Sequence, residues 1–226
     1  MASTTPIRIR VATKEDIPTM VDILHRAFAP NKVQTILFPE HLKTIPGSGD
    51  YLAFRTSRFE RDFLKMKPHM YYIVAVQDTP SGDEVMVGCA EWMAPVDEAD
   101  SEPAKKKTWK ERAAALPAGM DPEAYRAHFE CTKKLEAAVD EFVGEGSTKR
   151  MWWANSIAVD PDHQGKGIGT VLARWGIEQA DKDGKDVFLI ASSAGALLYR
   201  KLGFTDICSE EALGQRSHAM VKRRGE

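Results

Sequence analysis

Near the start of the chain, hydrophobic positions first alternate with polar ones and then recur at helical spacing. This pattern predicts a strand followed by a helix. Residues 7–11 alternate as the strand. Thr13 can cap the helix, with Asp16 three residues later. The apolar stripe that defines the helix comprises Ile17, Met20, Val21, Leu24 and Phe28. The chain therefore opens as a β-α unit.

Residues 30–150 continue this α/β order. Prolines break the chain between residues 30 and 46, and a mixed helix is predicted over residues 51–67, a stretch suited to roof a pocket. Residues 71–76 and 85–92 are apolar runs separated by a turn-forming Pro-Ser-Gly-Asp sequence, which predicts an antiparallel hairpin. Residues 95–150 are charged and alanine-rich, with a helical pattern over 123–142.

Composition narrows the class of protein. The chain has 226 residues, 43% of them hydrophobic and 28% charged, which fits one globular domain. A formal net charge of -2 disfavours nucleic acid as a partner. Three widely spaced cysteines (Cys89, Cys131 and Cys208) predict core thiols, with neither a disulfide framework nor a metal site. Because no leader-like or membrane-spanning run is present, a cytoplasmic protein with no membrane partner is expected.

A glycine-studded turn over residues 159–170 is the most informative feature. It joins an aromatic and β-branched run (152–159) to an amphipathic helix. At a helix N-terminus the unpaired N–H groups and the dipole favour an anion, and glycines let phosphate oxygens approach the main chain. The turn is therefore predicted to cradle a pyrophosphate. A turn that only reverses the chain is the alternative.

Spacing separates the glycine-rich phosphate binders. A Walker loop is excluded because Lys166 is followed by Gly167, and the dinucleotide fingerprint fits poorly because the glycines read G-x-G-x-G. What remains is Q-x-x-G-x-G, read as Gln164, Gly167 and Gly169. In this arrangement the chain resembles the GNAT superfamily of acetyl-CoA-dependent N-acetyltransferases.

A second block supports the same resemblance. A short apolar strand over residues 187–191 is followed by Ser192, Ser193 and the run Leu198-Tyr199-Arg200-Lys201-Leu202-Gly203-Phe204, similar to a GNAT block. Residues 152–204 carry the resemblance strongly and the start of the chain carries it weakly. It implies an α/β GNAT fold, with a central mixed, mostly antiparallel sheet splayed between two strands and flanked by helices. One domain over 1–226 would hold a helical insertion at about 95–150 and an acetyl-CoA-binding core at 152–204.

The resemblance also implies the cofactor and its binding residues. Acetyl-CoA would be the acyl donor, with no metal. Pantetheine would bond to the exposed main chain of the strand at 152–159. Ser192 and Ser193 stand where many relatives have an asparagine. The implied cofactor-binding residues are Ile157, Ala158, Val159, Gln164, Gly165, Lys166, Gly167, Ile168, Gly169, Thr170, Ser192, Ser193 and Tyr199.

The implied reaction requires an acid and, for alkyl amines, a base. Tyr199 occupies the family's general-acid position, although its ring could instead serve only as packing. Glu91 is the candidate base because it lies inside an apolar strand; a solvent-facing glutamate is the alternative. Asn155 stands where relatives often have an acidic residue, and an amide orients but takes no proton. Phe38, Trp92, Trp153 and Asn155 are the predicted acceptor-binding residues, with Tyr51 and Trp152 also available to an aromatic pocket.

These residues predict transfer of an acetyl group to a primary amine of a small molecule by direct attack in a ternary complex. The alternatives are a protein or peptide lysine acetyltransferase and a non-catalytic acyl-CoA-binding module. Residues 95–150 either cover the acceptor site or form a solvated helical excursion. The sequence does not fix the oligomeric state, and a homodimer is possible.

Overall fold

A computed structural model describes residues 6–65, 69–96 and 107–225, which fold around one seven-stranded sheet. The strands are β1 (Ile7–Val11), β2 (Met70–Asp78), β3 (Glu84–Met93), β4 (Trp152–Val159), β5 (Val187–Ser192), β6 (Thr205–Ala212) and β7 (Gln215–Lys222). The helices are α1 (Ile17–Phe28), α2 (Val33–Leu37), α3 (Gly49–Leu64), α4 (Trp109–Ala113), α5 (Pro122–Val143), α6 (Ile168–Asp183) and α7 (Ser193–Lys201).

The sheet has the order β1-β2-β3-β4-β5-β7-β6 and is antiparallel except between β4 and β5. That parallel pair is short, because only residues 152–154 of β4 pair with residues 187–189 of β5. Beyond this point β4 pairs only with β3, and β5 only with β7. The two strands therefore diverge, and we call the opening between residues 155–159 and 190–192 the wedge. The splayed, mostly antiparallel sheet that the resemblance implied is confirmed.

Helices cover both faces of the sheet. On one face, α6 packs over β3 and β4, and α7 over β5 and β7. The opposite face carries α1 and α3 above β2 to β4 and α5 above β6 and β7. Successive residues of a strand point to opposite faces, so Glu91 and Trp92 of β3 belong to different layers. This separation decides which side chains can share a site.

The long helix α5 is a core element. Leu135 and Val139 are fully buried, and they pack with Cys131 against Phe188 and Val221 from the sheet. The side chain of Asp121 caps the helix by accepting from the N–H groups of residues 123 and 124, both at 2.9 Å. For α5, the alternative that the 95–150 segment is a solvated helical excursion is therefore wrong, whereas residues 97–106 of that segment lie outside the described residues.

The other predicted elements hold with modest changes in their bounds. The strand at 152–159 is confirmed, the hairpin strands are longer than predicted, and the helix expected over 51–67 runs over Gly49–Leu64. Cys89 and Cys131 are buried and Cys208 is half-buried, and all three are free thiols. No helix in the described part of the chain is both long and apolar enough to cross a membrane.

Candidate functional site

The turn between β4 and α6 forms an open cradle at a helix N-terminus. Gly165 and Gly167 have φ angles of +75° and +79°, in the left-handed region that favours glycine, and Gly167 is the N-cap of α6. A Cβ atom on either glycine would meet no heavy atom within 4 Å. The carbonyl of Gly167 accepts from the N–H groups of Thr170 and Val171 at 3.0 and 3.2 Å. The earlier N–H groups of α6 thus lie at the cradle, where an anion is favoured.

An arginine of α1 stabilises this turn by binding the carboxylate of Asp160. Both oxygens of the Asp160 carboxylate accept from Arg26, at 2.6 Å from Nη2 and 3.2 Å from Nη1. The same carboxylate accepts from the N–H of Asp162 at 2.9 Å. Hydrogen bonding to Arg26 holds the pKa of Asp160 below its usual range. Sequence reasoning missed Arg26, because the two partners are 134 residues apart.

Replacing Arg26 by glutamine is expected to weaken CoA binding about tenfold, because the turn loses a charge-assisted bidentate contact that fixes its geometry. Calorimetric titration with CoA measures the effect. Asp22→Asn is the matched control, since Asp22 is the other carboxylate bonded to Arg26, at 2.8 Å, and is more exposed than Asp160. Wild-type affinity in a folded Arg26→Gln protein would contradict this positioning role.

The opposite side of the wedge is formed by the end of β5 and the start of α7. Ser192 is the N-cap of α7, and its hydroxyl accepts from the N–H of Gly195 at 3.2 Å. The Ser193 hydroxyl lies 3.2 Å from Nε2 of His218. Tyr199 is half-buried on α7, with its ring 5.6 Å from that of Phe204 in an edge-on arrangement. Burial raises the pKa of Tyr199 to about 12.

Most of the predicted cofactor-binding residues lie on β4, the glycine turn and the first turn of α6, and Ser192, Ser193 and Tyr199 lie across the wedge. Ile157, Ala158 and Val159 belong to the unpaired edge of β4, and Gln164 donates to the carbonyl of Val159 at 3.4 Å. Lys166 is exposed in the turn, where Nζ bonds to the carbonyl of residue 162. Ile168, Gly169 and Thr170 form the first turn of α6. Because the side chains of Ala158 and Ile168 are buried, these two residues present only their main chain.

A β-bulge lies at the narrow end of the wedge, where β4 and β5 begin to diverge. Glu91 pairs with Ser156 and Trp92 pairs with Ala154, so Asn155 is an extra residue of β4. Ala154 is also the last residue of β4 that pairs with β5. The bulge and the divergence of the strands therefore coincide, and Asn155 lies at the point where the wedge opens.

Glu91 lies on the α1 and α3 side of the sheet and is only 1% exposed. Its carboxylate forms an ion pair with Arg58 of α3 and lies 3.4 Å from the hydroxyl of Ser156. The alternative that Glu91 points into solvent is wrong. A buried carboxylate that is paired and adjacent to the bulge remains available as a base in principle, and that role stays a prediction.

A cleft of about 340 Å³ leads to this ion pair from outside. We call it the α3 cleft, because one face of α3 forms its main wall. Residues 115–118, which follow α4, form the opposite wall. Its lining residues are Thr44, Ile45, Asp50, Ala53, Phe54, Ser57, Arg58, Arg61, Ala115, Pro117 and Ala118. Arg58 lines the cleft and pairs with Glu91, whose carboxylate lies 3.4 Å from the Ser156 hydroxyl, so two side-chain contacts connect the wall of the cleft to the bulge.

The aromatic residues predicted to line an acceptor pocket do not share one site. Trp92 is fully buried beneath α6, and a Cβ atom on Gly176 would lie 2.2 Å from its ring. Its predicted contact with the acceptor is wrong, because it lies on the face opposite Glu91. Trp152 is also a core residue and donates to Asp183 at 2.8 Å.

The remaining aromatic candidates lie nearer the α3 and α5 side. The ring of Trp153 lies 5.8 Å from that of Phe188, beneath α5. Phe38 is buried behind Phe54, a lining residue of the α3 cleft, with ring centroids 5.9 Å apart. Tyr51 packs against Phe38 at the same centroid distance. The acceptor-binding roles of Phe38, Trp153 and Asn155 stay predictions.

The family follows from a comparison with known domains. The model of the acetyltransferase (GNAT) domain matches residues 131–206, a range that contains the bulge, the glycine turn, both sides of the wedge and Tyr199. This part of the chain is a GNAT acetyltransferase domain. A fungal relative, an acetyltransferase of Stachybotrys chartarum, is 25% identical over 198 residues, which cover 87% of this chain and 79% of the relative.

Solved GNAT-like structures share the fold of this acetyltransferase. A histone acetyltransferase HPA2 and related acetyltransferase from Corynebacterium glutamicum superposes with a TM-score of 0.61 at 20% identity, covering 99% of this chain and 98% of the other. Arylalkylamine N-acetyltransferase 2 from Aedes aegypti also has a TM-score of 0.61, at 15% identity, covering 96% and 98%. At these identities the likeness concerns the fold alone.

Acetyl-CoA is the acyl donor of GNAT enzymes, and the geometry of this GNAT chain suits it. The cradle combines two glycines of positive φ with open space and a helix N-terminus, as a pyrophosphate requires. The wedge exposes main-chain groups of residues 155–159 on the side that lacks a neighbouring strand. An extended pantetheine arm can pair with such an edge as an added strand does.

Proposed function

We propose that this protein transfers the acetyl group of acetyl-CoA to a primary amine of a small molecule, by direct attack in a ternary complex. The observation that carries the proposal is the chain of contacts that runs from the α3 cleft through Arg58 and Glu91 to Ser156, beside the bulge of β4. The donor enters along the wedge and the acceptor along the α3 cleft, so the amine and the thioester converge near Ser156. A walled cleft of about 340 Å³ is matched to a small molecule.

Each step of the reaction has a candidate group in the chain. Acetyl-CoA supplies an activated thioester when bound. A main-chain N–H of residues 157–159 bonds to the oxyanion that forms on attack, because alternate N–H groups of β4 face the wedge. Tyr199 donates a proton to the leaving sulfur from the other side of the wedge. Gln164 and the glycine turn hold the pyrophosphate in register.

Glu91 is the proposed base. At pH 7 only a few alkyl amines per ten thousand are neutral, at a pKa of about 10.4, so removal of a proton raises the reactive fraction. The Glu91 carboxylate contacts Ser156 at the bulge and is covered by Arg58. It collects the proton directly or through one water, and Arg58 stabilises the carboxylate before transfer.

Acetylation of protein lysines is the second candidate. The Corynebacterium glutamicum protein named for histone acetylation and the Aedes aegypti protein named for arylalkylamines have equal TM-scores, so the fold does not choose between their acceptors. A lysine would have to reach the bulge as a single extended side chain between α3 and residues 115–118. This walled geometry favours the small amine.

A screen of acceptors tests the proposal. Purified protein and acetyl-CoA are combined with alkyl amines, aryl amines, polyamines and lysine peptides, and release of CoA thiol is measured. We expect turnover with small amines and none above background with peptides. Efficient turnover of peptides alone would select the second candidate, and CoA binding without turnover of any amine would indicate a non-catalytic module.

Glu91→Gln is expected to lower turnover of an alkyl amine about 10- to 100-fold near pH 7. Glutamine keeps the volume and can still accept a hydrogen bond from Arg58, but it cannot take a proton. The rate should recover in part at high pH, where the acceptor loses its own proton. An aryl amine, already neutral at pH 7, is the internal control and should be little affected. Identical pH profiles for mutant and wild type would make Glu91 a structural residue.

A further inference from the structure

The charged groups of the α3 cleft are arranged asymmetrically. Among the described residues, the charged ones that line the cleft are Asp50, Arg58 and Arg61. The side chains of Arg58 and Arg61 are 28% and 59% exposed, and they lie one turn apart on the same face of α3. Two guanidinium groups therefore reach the cleft from its main wall.

The carboxylates in and around the cleft are buried and already bonded. Asp50 is buried and accepts from the N–H groups of Thr44 and Ile45, at 2.8 and 3.1 Å, and from the Thr44 hydroxyl. Glu91 lies beneath Arg58. Asp62 is buried, accepts from a tyrosine hydroxyl and lies 3.8 Å from Arg61. The groups that an incoming ligand meets are thus cationic donors.

An arginine can serve a ligand and an internal partner together. The guanidinium has five N–H donors in a planar fork, and Arg58 directs one amino group, Nη2, at Glu91. Arg61 has a single carboxylate neighbour in the described contacts, at 3.8 Å, which is longer than a hydrogen bond. Donors of both residues are consequently available for a planar anion such as a carboxylate.

The rest of the cleft is largely apolar. Ala53 and Phe54 lie on the wall formed by α3, and the other apolar lining residues are Ile45, Ala115, Pro117 and Ala118. Thr44 and Ser57 are the uncharged polar residues of the lining. A ligand that fits must bury a hydrophobic body while presenting an anion to one side. A polyamine, which carries only positive charge, would lie against two arginines, and no described lining residue offers it an exposed carboxylate.

We propose that the preferred acceptor is an amine with an apolar or aromatic body that also carries a carboxylate, which Arg58 and Arg61 bind while the amine faces the bulge of β4. This inference rests on the proposed function for the role of the amine. The recognition of the carboxylate, in contrast, is a property of the cleft that binding measurements detect without turnover.

Two pairs of probes that differ only in a carboxylate test the inference. They are 4-(aminomethyl)benzoate with benzylamine and L-phenylalanine with 2-phenylethylamine. Binding is measured by calorimetry on the protein saturated with CoA, and kcat/KM is measured with acetyl-CoA. In at least one pair we expect the carboxylate compound to bind and react about tenfold better, because it gains charge-assisted hydrogen bonds at a partly exposed site.

Arg61→Gln is expected to abolish that preference by weakening the carboxylate compound about tenfold and leaving its partner unchanged, and Arg61→Lys should restore part of it. Arg216→Gln is the matched control. Arg216 has 61% side-chain exposure and a carboxylate at 3.8 Å, nearly the values of Arg61, but it lies on β7 outside the cleft. The control should keep the wild-type preference.

The outcomes separate this inference from the proposed function. Equal affinity within both pairs, or a preference that Arg61→Gln leaves intact, would overturn the inference even if amines are acetylated. Carboxylate-dependent binding that requires Arg61, without turnover of any amine, would support the inference and refute the acetyl-transfer function.

Discussion

Replacement of Tyr199 by phenylalanine is expected to lower kcat by about 10²- to 10⁴-fold and to leave the affinity for CoA nearly unchanged. The substitution removes one hydroxyl group and keeps the ring, which packs edge-on against Phe204. A loss confined to kcat is the signature of an interaction made only in the transition state.

The protonation of Tyr199 gives this prediction a pH dependence. Burial disfavours the phenolate and raises the pKa to about 12, so the proton to be donated is present throughout the range from pH 7 to 10. An ordinary thiol has a pKa of about 8.5, so complete transfer to a free thiolate would be spontaneous only in the reverse direction. Proton donation to the sulfur is therefore uphill, so it must be coupled to C–S cleavage and to the return of a proton from solvent to the phenolate.

Steady-state kinetics over pH 7 to 10, with calorimetric titration of CoA, measure both parts of the prediction. The defect of Tyr199→Phe should be constant over this range, because the wild-type residue does not titrate within it. Tyr71→Phe is the control, since its ring packs against Trp152 away from the wedge. A wild-type kcat in Tyr199→Phe would reduce Tyr199 to a packing residue.

The sequence predicted best the parts of the site that are local in the chain. The run 152–170 contains its own strand, its own turn and the start of its own helix, and its glycines include Gly165 and Gly167, which adopt positive φ in the turn. The wedge could be predicted only from the resemblance, because nothing in the sequence of residues 155–159 or 190–192 reveals that the two segments do not pair with each other.

The acceptor side depends on long-range contacts and was predicted less well. Arg58 and Glu91 are 33 residues apart, and neither residue type suggests the other as its partner. The error on Trp92 had a detectable signal, since neighbours in a strand face opposite sides and Glu91 and Trp92 could not line one pocket. The burial of α5 was also hidden, because a charged, alanine-rich helix has only a narrow apolar stripe.

The largest effect on binding is expected from Gly167→Glu, which should weaken CoA binding about 100-fold or more in a protein that still folds. The open space around Gly167 admits the side chain, so the cost to the fold is limited to its φ of +79°. That conformation costs a residue other than glycine about 1–2 kcal/mol. The carboxylate would stand at the N-terminus of α6, where it binds the unpaired N–H groups and repels the phosphates.

Gly82→Glu separates the effect of charge in the cradle from backbone strain. Gly82 has a φ of +88° and equally open surroundings, but it lies in the turn between β2 and β3. Both variants should lose similar stability in thermal unfolding, and only Gly167→Glu should lose CoA. Gly167→Lys carries the same strain with the opposite charge, so its affinity should fall less than that of Gly167→Glu. If both Gly167 variants bound CoA as the wild type does, the glycine turn would only reverse the chain, and the donor would have to be held elsewhere along the wedge.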